Sequence, residues 1–109
     1  LEEGLTGKGN CQIYYTTYTG NGQYGVSAPN SLTFPAQPLL VVILQADGLG
    51  LRFVPGCTGV TYHRSDNYVN CAVTWSGTTL TWYCTENNAL AQLNYLNHIY
   101  HVYALLQAG

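Results

Sequence analysis

The sequence predicts an all-β domain, a small antiparallel β-sandwich, and three observations predict it. Short runs rich in Tyr, Thr, Val and Ile alternate with turn residues along most of the chain. The stretch from Asn70 to Cys84 alternates between apolar and polar positions, as a half-buried hairpin does. Only residues 86–94 carry a helical spacing (Ala89, Leu90, Leu93), enough for at most one short helix. With 109 residues and 47% hydrophobic content, one core and one domain are expected.

Taken in order, residues 1–10 hold three glycines and no periodicity, so they read as a linker ahead of a single domain at 11–109. The chain has no initiating Met, which suggests a piece of something longer, and Leu1-Glu2-Glu3-Gly4 does not open a signal peptide. Cys11 to Tyr18 is an aromatic, Thr-rich strand broken by Gly20-Asn21-Gly22. Leu32 to Phe34 is short, ended by Pro35 and Pro38, which lack a ladder donor. Leu39 to Ala46 is apolar on consecutive positions, the pattern of a strand covered on both faces. Asp47-Gly48 turns the chain back along Leu51 to Val54. In the hairpin, a two-residue Ser76-Gly77 turn would set Trp75 opposite Thr78 and Cys71 opposite Trp82. Cys71, Val73, Trp75, Thr78, Leu80 and Trp82 then share the buried face, while Ala72, Thr74, Thr79, Thr81 and Tyr83 face outward. His98 to Leu106 is the last strand.

That register counts against a Cys71–Cys84 bridge. Four cysteines allow three pairings, and none lies in a Cys-x-x-Cys pair of the kind zinc ribbons use. Free, buried thiols are the expectation.

Only 7% of the residues are charged and the net charge is −2, so the surface must be Thr, Asn, Gln, Ser, Gly and Tyr. Lys8, Arg52 and Arg64 are scattered, which excludes a basic nucleic-acid footprint. No apolar run reaches the ~18 residues of a membrane helix. The acids do not pair along the chain, no Gly-x-Ser-x-Gly elbow occurs, and His63, Ser65 and Asp66 are too close in sequence to form a triad. No enzyme and no cofactor are expected. His98 and His101 sit three apart, on opposite faces of a strand, and cannot chelate one ion together, so no metal is expected within the chain; one histidine per subunit around a symmetry axis stays open as an alternative.

Two segments concentrate recognition chemistry. Tyr62, His63, Arg64, Asp66, Asn67 and Tyr68 offer a cation, an acid, an amide and aromatic rings, the mix that hydroxyl-rich ligands want; the same run also reads as a solvated turn with an ordinary Arg–Asp contact. Glu86, Asn87, Asn88, Asn94, Tyr95 and Asn97 have the adaptable polar character of binding loops, or are asparagines that tolerate left-handed backbone.

Tyr18-Thr19-Gly20-Asn21-Gly22-Gln23-Tyr24-Gly25, Asn30-Ser31-Leu32-Thr33-Phe34 up to Pro38, Leu80-Thr81-Trp82-Tyr83, Ala91-Gln92-Leu93-Asn94 and Tyr100 to Leu105 together resemble the C-terminal receptor-binding-type domains of phage and prophage tail proteins from gut Firmicutes. The resemblance implies a layout similar to H-type lectin domains or a jelly roll. It also implies a homotrimer, a place on the virion tail, and a host-surface glycan or protein as partner. Some such domains are diversified by retroelements, which the Asn, Tyr and His crowding from Asn87 to Tyr103 would suit. Two other functions stay open: a trimerisation module of a tail fibre, and a secreted bacterial carbohydrate-binding or adhesin domain.

Overall fold

A computed structural model describes residues 11–64, 66–86 and 88–107; the expected linker at 1–10 lies outside the described residues. Eight strands form two antiparallel sheets: β1 (Cys11–Thr19), β2 (Asn30–Thr33), β3 (Pro38–Leu44), β4 (Gly50–Phe53), β5 (Gly59–Arg64), β6 (Asn67–Ser76), β7 (Thr79–Cys84) and β8 (Ile99–Gln107). One sheet has the order β1-β8-β3-β4 and the other β2-β7-β6-β5, so the fold is a small all-β sandwich. Residues 88–97 contain turns and no helix.

Period-two alternation builds the core. On β8, Tyr100, Val102, Ala104 and Leu106 are buried, while the residues between them face outward. Trp82 is the central inward ring of the second sheet, with Phe53 at 5.2 Å and Tyr18 at 6.5 Å reaching it from the first. Tyr100 stacks on Tyr18 at 5.2 Å behind them.

The β6–β7 hairpin keeps the expected faces but not the expected register. Trp75 pairs with Leu80 and Cys71 with Cys84, two positions away from the sequence-based pairing. The cause is the turn, in which Ser76 pairs with Thr79, leaving Gly77 and Thr78 as its central residues. Gly77 has φ 59°, as the first central position of a II′ turn demands. A slip of two leaves every side chain on its original face, so Trp82 is fully buried and Trp75 packs partly against the core. Thr78 alone changes role: it lies in the turn, where its carbonyl accepts the Phe34 N–H.

β3 departs from expectation in a second way. Val41 and Ile43 are buried, but Leu40, Val42 and Leu44 remain half-exposed on the outer face, with no layer over them among the described residues. The strand from Gly59 to Arg64 was not anticipated as regular structure.

The cysteines are free, but only Cys71 and Cys84 are buried; Cys57 is intermediate and Cys11 exposed. The buried pair lies Sγ to Sγ at 3.7 Å. Hydrogen bonding to Cys71, then burial, pushes the Cys84 thiol up from its ordinary range.

Candidate functional site

The registers gather four connections at one pole. Thr19 pairs with Ile99, Leu44 with His101 and Arg64 with Asn67, and Arg64 meets Asp47 across the sheets, so the chain leaves Thr19, Leu44, Arg64 and Cys84 at the same pole. Cys11 pairs with Gln107 at the opposite pole.

The longest link is rigidly built. The Asn88 side-chain oxygen accepts the Ala91 N–H at 3.0 Å, an N-cap on a single turn. That turn closes with Leu93 N–H to Leu90 O (3.1 Å) and Asn94 N–H to Ala89 O (2.9 Å), the Schellman pairing. It requires a left-handed residue, and Leu93 takes φ 61° at a cost of about 1–2 kcal/mol. Complete burial of the Leu93 side chain offsets that strain.

Gln92, also fully buried, locks the turn to the sandwich. Its side-chain oxygen accepts the N–H groups of Gly25 (2.8 Å) and Cys84 (3.0 Å), and its amide donates to Ala28 O (2.9 Å) and Asn30 Oδ1 (3.0 Å). β2 ends opposite Trp82, and Gln92 therefore accepts the Cys84 N–H that a longer β2 would have taken. Asn94 does the same for the 20–29 link, donating to Asn21 Oδ1 (2.6 Å) and Gln23 O (3.0 Å). Gly20 must be glycine, because a Cβ there would overlap the Tyr95 carbonyl.

The sequence-predicted residues divide accordingly. Tyr62 is core: it is buried, and its hydroxyl accepts the Gln45 amide at 3.2 Å. Asn94 is buried and committed to its own loop. Both had been assigned to ligand; Tyr62 is corrected by its inward placement, whereas Asn94, although buried, lines a cleft of about 250 Å³ with Asn21, Gln23 and Asn30. Asn87 lies outside the described residues. Asn97 is exposed with φ 66°, the left-handed backbone that asparagine tolerates.

The rest reach the surface. Tyr62 to Arg64 and Asn67 to Tyr68 are paired strand ends whose side chains alternate faces. His63 and Tyr68 stack on the outer face, 4.3 Å apart and within 5° of parallel. Arg64 instead overhangs the mouth of the sandwich and meets Asp47 at 3.7 Å, not the exposed turn residue Asp66. Both partners are nearly half exposed, so water screens the pair and leaves it available to a ligand.

Two further concavities involve the exposed predicted residues. An open cleft of about 410 Å³ is lined by Asn67, Tyr68, Val69, Glu86 and Asn88, joining the two predicted segments. A neighbouring pocket of about 200 Å³ is lined by Gln45, Asp47, Arg64, Leu90 and His98, with Tyr95 against His98 at 4.6 Å.

Gln45, Asp47 and His98 were missed as site residues. Asp47-Gly48 reads only as a turn in sequence, and its approach to Arg64 depends on the two sheets being stacked. The Asp47 carboxylate accepts the Leu49 N–H (3.0 Å) and the Gln45 amide (3.1 Å), and these bonds hold it below the usual carboxylate range. Gln45 Oε1 is buried with no hydrogen-bond partner among the described residues. Leaving such an acceptor unpaired costs about 1–3 kcal/mol.

Among the described residues, no three His, Cys, Asp or Glu side chains converge as a metal site. His98 and His101 have separate partners, Tyr95 for the first and the Tyr15 hydroxyl (2.7 Å) for the second. A scan against protein-family models and searches of curated proteins and of solved structures found no match to this chain.

Proposed function

We propose that this chain is a non-catalytic binding domain that attaches, through its loop pole, to a hydroxyl-rich ligand on a host cell surface, at the tip of a phage tail. The observation that carries the reading is the pocket beside the Arg64–Asp47 pair. Asp47 supplies a charged acceptor and Arg64 a planar donor; Leu90 and His98 supply an apolar and an aromatic wall. Vicinal hydroxyls need that combination of donors, acceptors and a flat non-polar surface. The cleft with Asn67, Tyr68, Glu86 and Asn88, at the same pole, offers a second set of amide, acid and ring groups. The partner is a surface glycan first, and a surface protein second.

Glycan-array and whole-cell binding by the wild-type chain, Arg64→Ala, Asp47→Ala and Tyr68→Ala test this. Binding that falls tenfold or more in Arg64→Ala and Asp47→Ala, with unchanged thermal midpoints, supports the site. Strong binding untouched by all three substitutions sinks it.

An assembly role has its own support in the outer face of the β1-β8-β3-β4 sheet. There Ile13, Tyr15, Ile99, Tyr103 and Leu105 are exposed. The two roles occupy different surfaces and are compatible.

A further inference from the structure

The registers of β1, β8 and β3 place nine outward side chains in a grid. Ile13 lies beside Leu105 and Leu105 beside Leu40; Tyr15 beside Tyr103 and Tyr103 beside Val42; Thr17 beside His101 and His101 beside Leu44. Seven of the nine are aliphatic or tyrosine, and none is acidic. Ile13 is 82% exposed and Tyr15 51%. Taking ~150–250 Å² for a large side chain, the five most exposed apolar residues of this face offer on the order of 500 Å². The half-exposed Leu40, Val42, Leu44 and His101 bring the face towards the ~800 Å² that each partner of a stable complex buries.

The patch also runs over a sheet edge that lacks the usual guards. Of the four edge strands, β2 and β4 have four residues each, and β5 begins at Gly59 and ends at His63-Arg64. β1 is nine residues long, with no charge, proline or glycine. Natural edges left in water are shortened, charged or broken by proline.

We propose that this face is the contact between two copies of the chain, stacked sheet on sheet about a two-fold axis. A dent of about 120 Å³ lies between Ile13, Leu40, Val42, Tyr103 and Leu105. The protruding Ile13 of one copy fills the dent of the other, and the relation is reciprocal, as an isologous contact requires. A second copy is the fitting occupant because the area approaches what a dimer needs. The face is also nearly uncharged, with Arg52 only at its β4 margin beside Val42, so copy on copy brings no like charges together. The assembly is two-fold, not the trimer that the resemblance implied, and it does not depend on the proposed ligand.

Sedimentation equilibrium of the whole chain tests it, with Ile13→Asp as the disrupting variant and Thr81→Asp, on the outer face of the other sheet, as the control. Two copies at micromolar concentration are expected for the wild type and Thr81→Asp. Ile13→Asp should dissociate at least tenfold more readily, with an unchanged near-ultraviolet spectrum showing an intact core. A monomeric wild type at ~100 µM, a three-copy mass, or a dimer indifferent to Ile13→Asp each overturns the proposal. A monomer that co-sediments with phosphatidylcholine vesicles overturns it in favour of a lipid surface. If Ile13→Asp fails to fold, Leu105→Lys serves in its place.

Discussion

The two outer faces of the sandwich are built on the same alternating backbone and differ almost completely. On the β2-β7-β6-β5 sheet, hydroxyls pair across strands: Thr33 with Thr79 at 2.9 Å, Ser31 with Thr81 at 3.4 Å, and Thr61 with Asn70 at 3.1 Å. On the β1-β8-β3-β4 sheet, the equivalent positions hold Ile13, Tyr15, Tyr103 and Leu105. Both faces satisfy the strand requirement for β-branched or aromatic residues, so strand formation does not explain the contrast. Solvent exposure explains the first face; the second has the composition of a contact surface.

The most disruptive way to test that contrast is to compare either face with the interior. Gln92→Ala should cost about 3 kcal/mol or more in urea denaturation, because it strands the buried Cys84 N–H and leaves the Gly25 N–H and Ala28 O without their partner. A single outer-face change of similar cost would mean that the faces serve packing, and the comparison would fail.

Oxidation comes next. Cys71 and Cys84 face each other across β6 and β7, and oxidised glutathione should convert the two thiols to a disulfide with release of two reduced glutathiones. Closing the short loop between them should stabilise the fold by about 3 kcal/mol. Intact-mass spectrometry would show the loss of two hydrogens, and the thermal midpoint should rise. The bridge lies under the Thr-rich sheet, so association through the other face should not change.

A smaller effect separates the faces directly. At concentrations low enough to keep the chain monomeric, Tyr103→Thr should shift stability by less than about 1 kcal/mol while clearly reducing binding of a hydrophobic dye, whereas Thr81→Val should stay within about 0.5 kcal/mol and increase it. Equal dye responses would erase the distinction.

The smallest is electrostatic. Asp47 holds its proton less tightly when folded, so its contribution to the 45–49 turn is present above the ordinary carboxylate range and is lost as pH falls through the lowered value. A side-chain NMR titration with an ordinary or raised midpoint would contradict the hydrogen bonding described.

Sequence made the faces legible and hid their partners. Alternation alone placed Trp82 and Val73 inward and Thr81 outward. The pairing of Cys71 with Cys84 depended on which residue of Ser76-Gly77-Thr78 took a positive φ, which periodicity does not encode. The consecutive apolar run of β3 read as a strand covered on both faces, yet its outer face has no layer over it among the described residues, because a strand cannot say whether its second face meets another layer of its own chain. At the loop pole, Arg64 stood out by type, whereas Gln45 and His98 matter only because the sheets stack. Asn94 looked like Tyr95 and Asn97 in composition, yet its amide is used up far along the chain, on Asn21 and Gln23.

The substitution of one glutamine side chain for a missing length of β2 has a consequence for how this pole can change. Anchorage is concentrated in Gln92, Leu93 and Asn94, all buried, while the next four residues, Tyr95 to His98, are all exposed. Root and tip are thus separated within a few positions of the same link. Side chains at Tyr95, Leu96 and His98 can be exchanged for others without loosening the frame beneath them, while Asn97, at φ 66°, stays limited to residues that accept left-handed backbone.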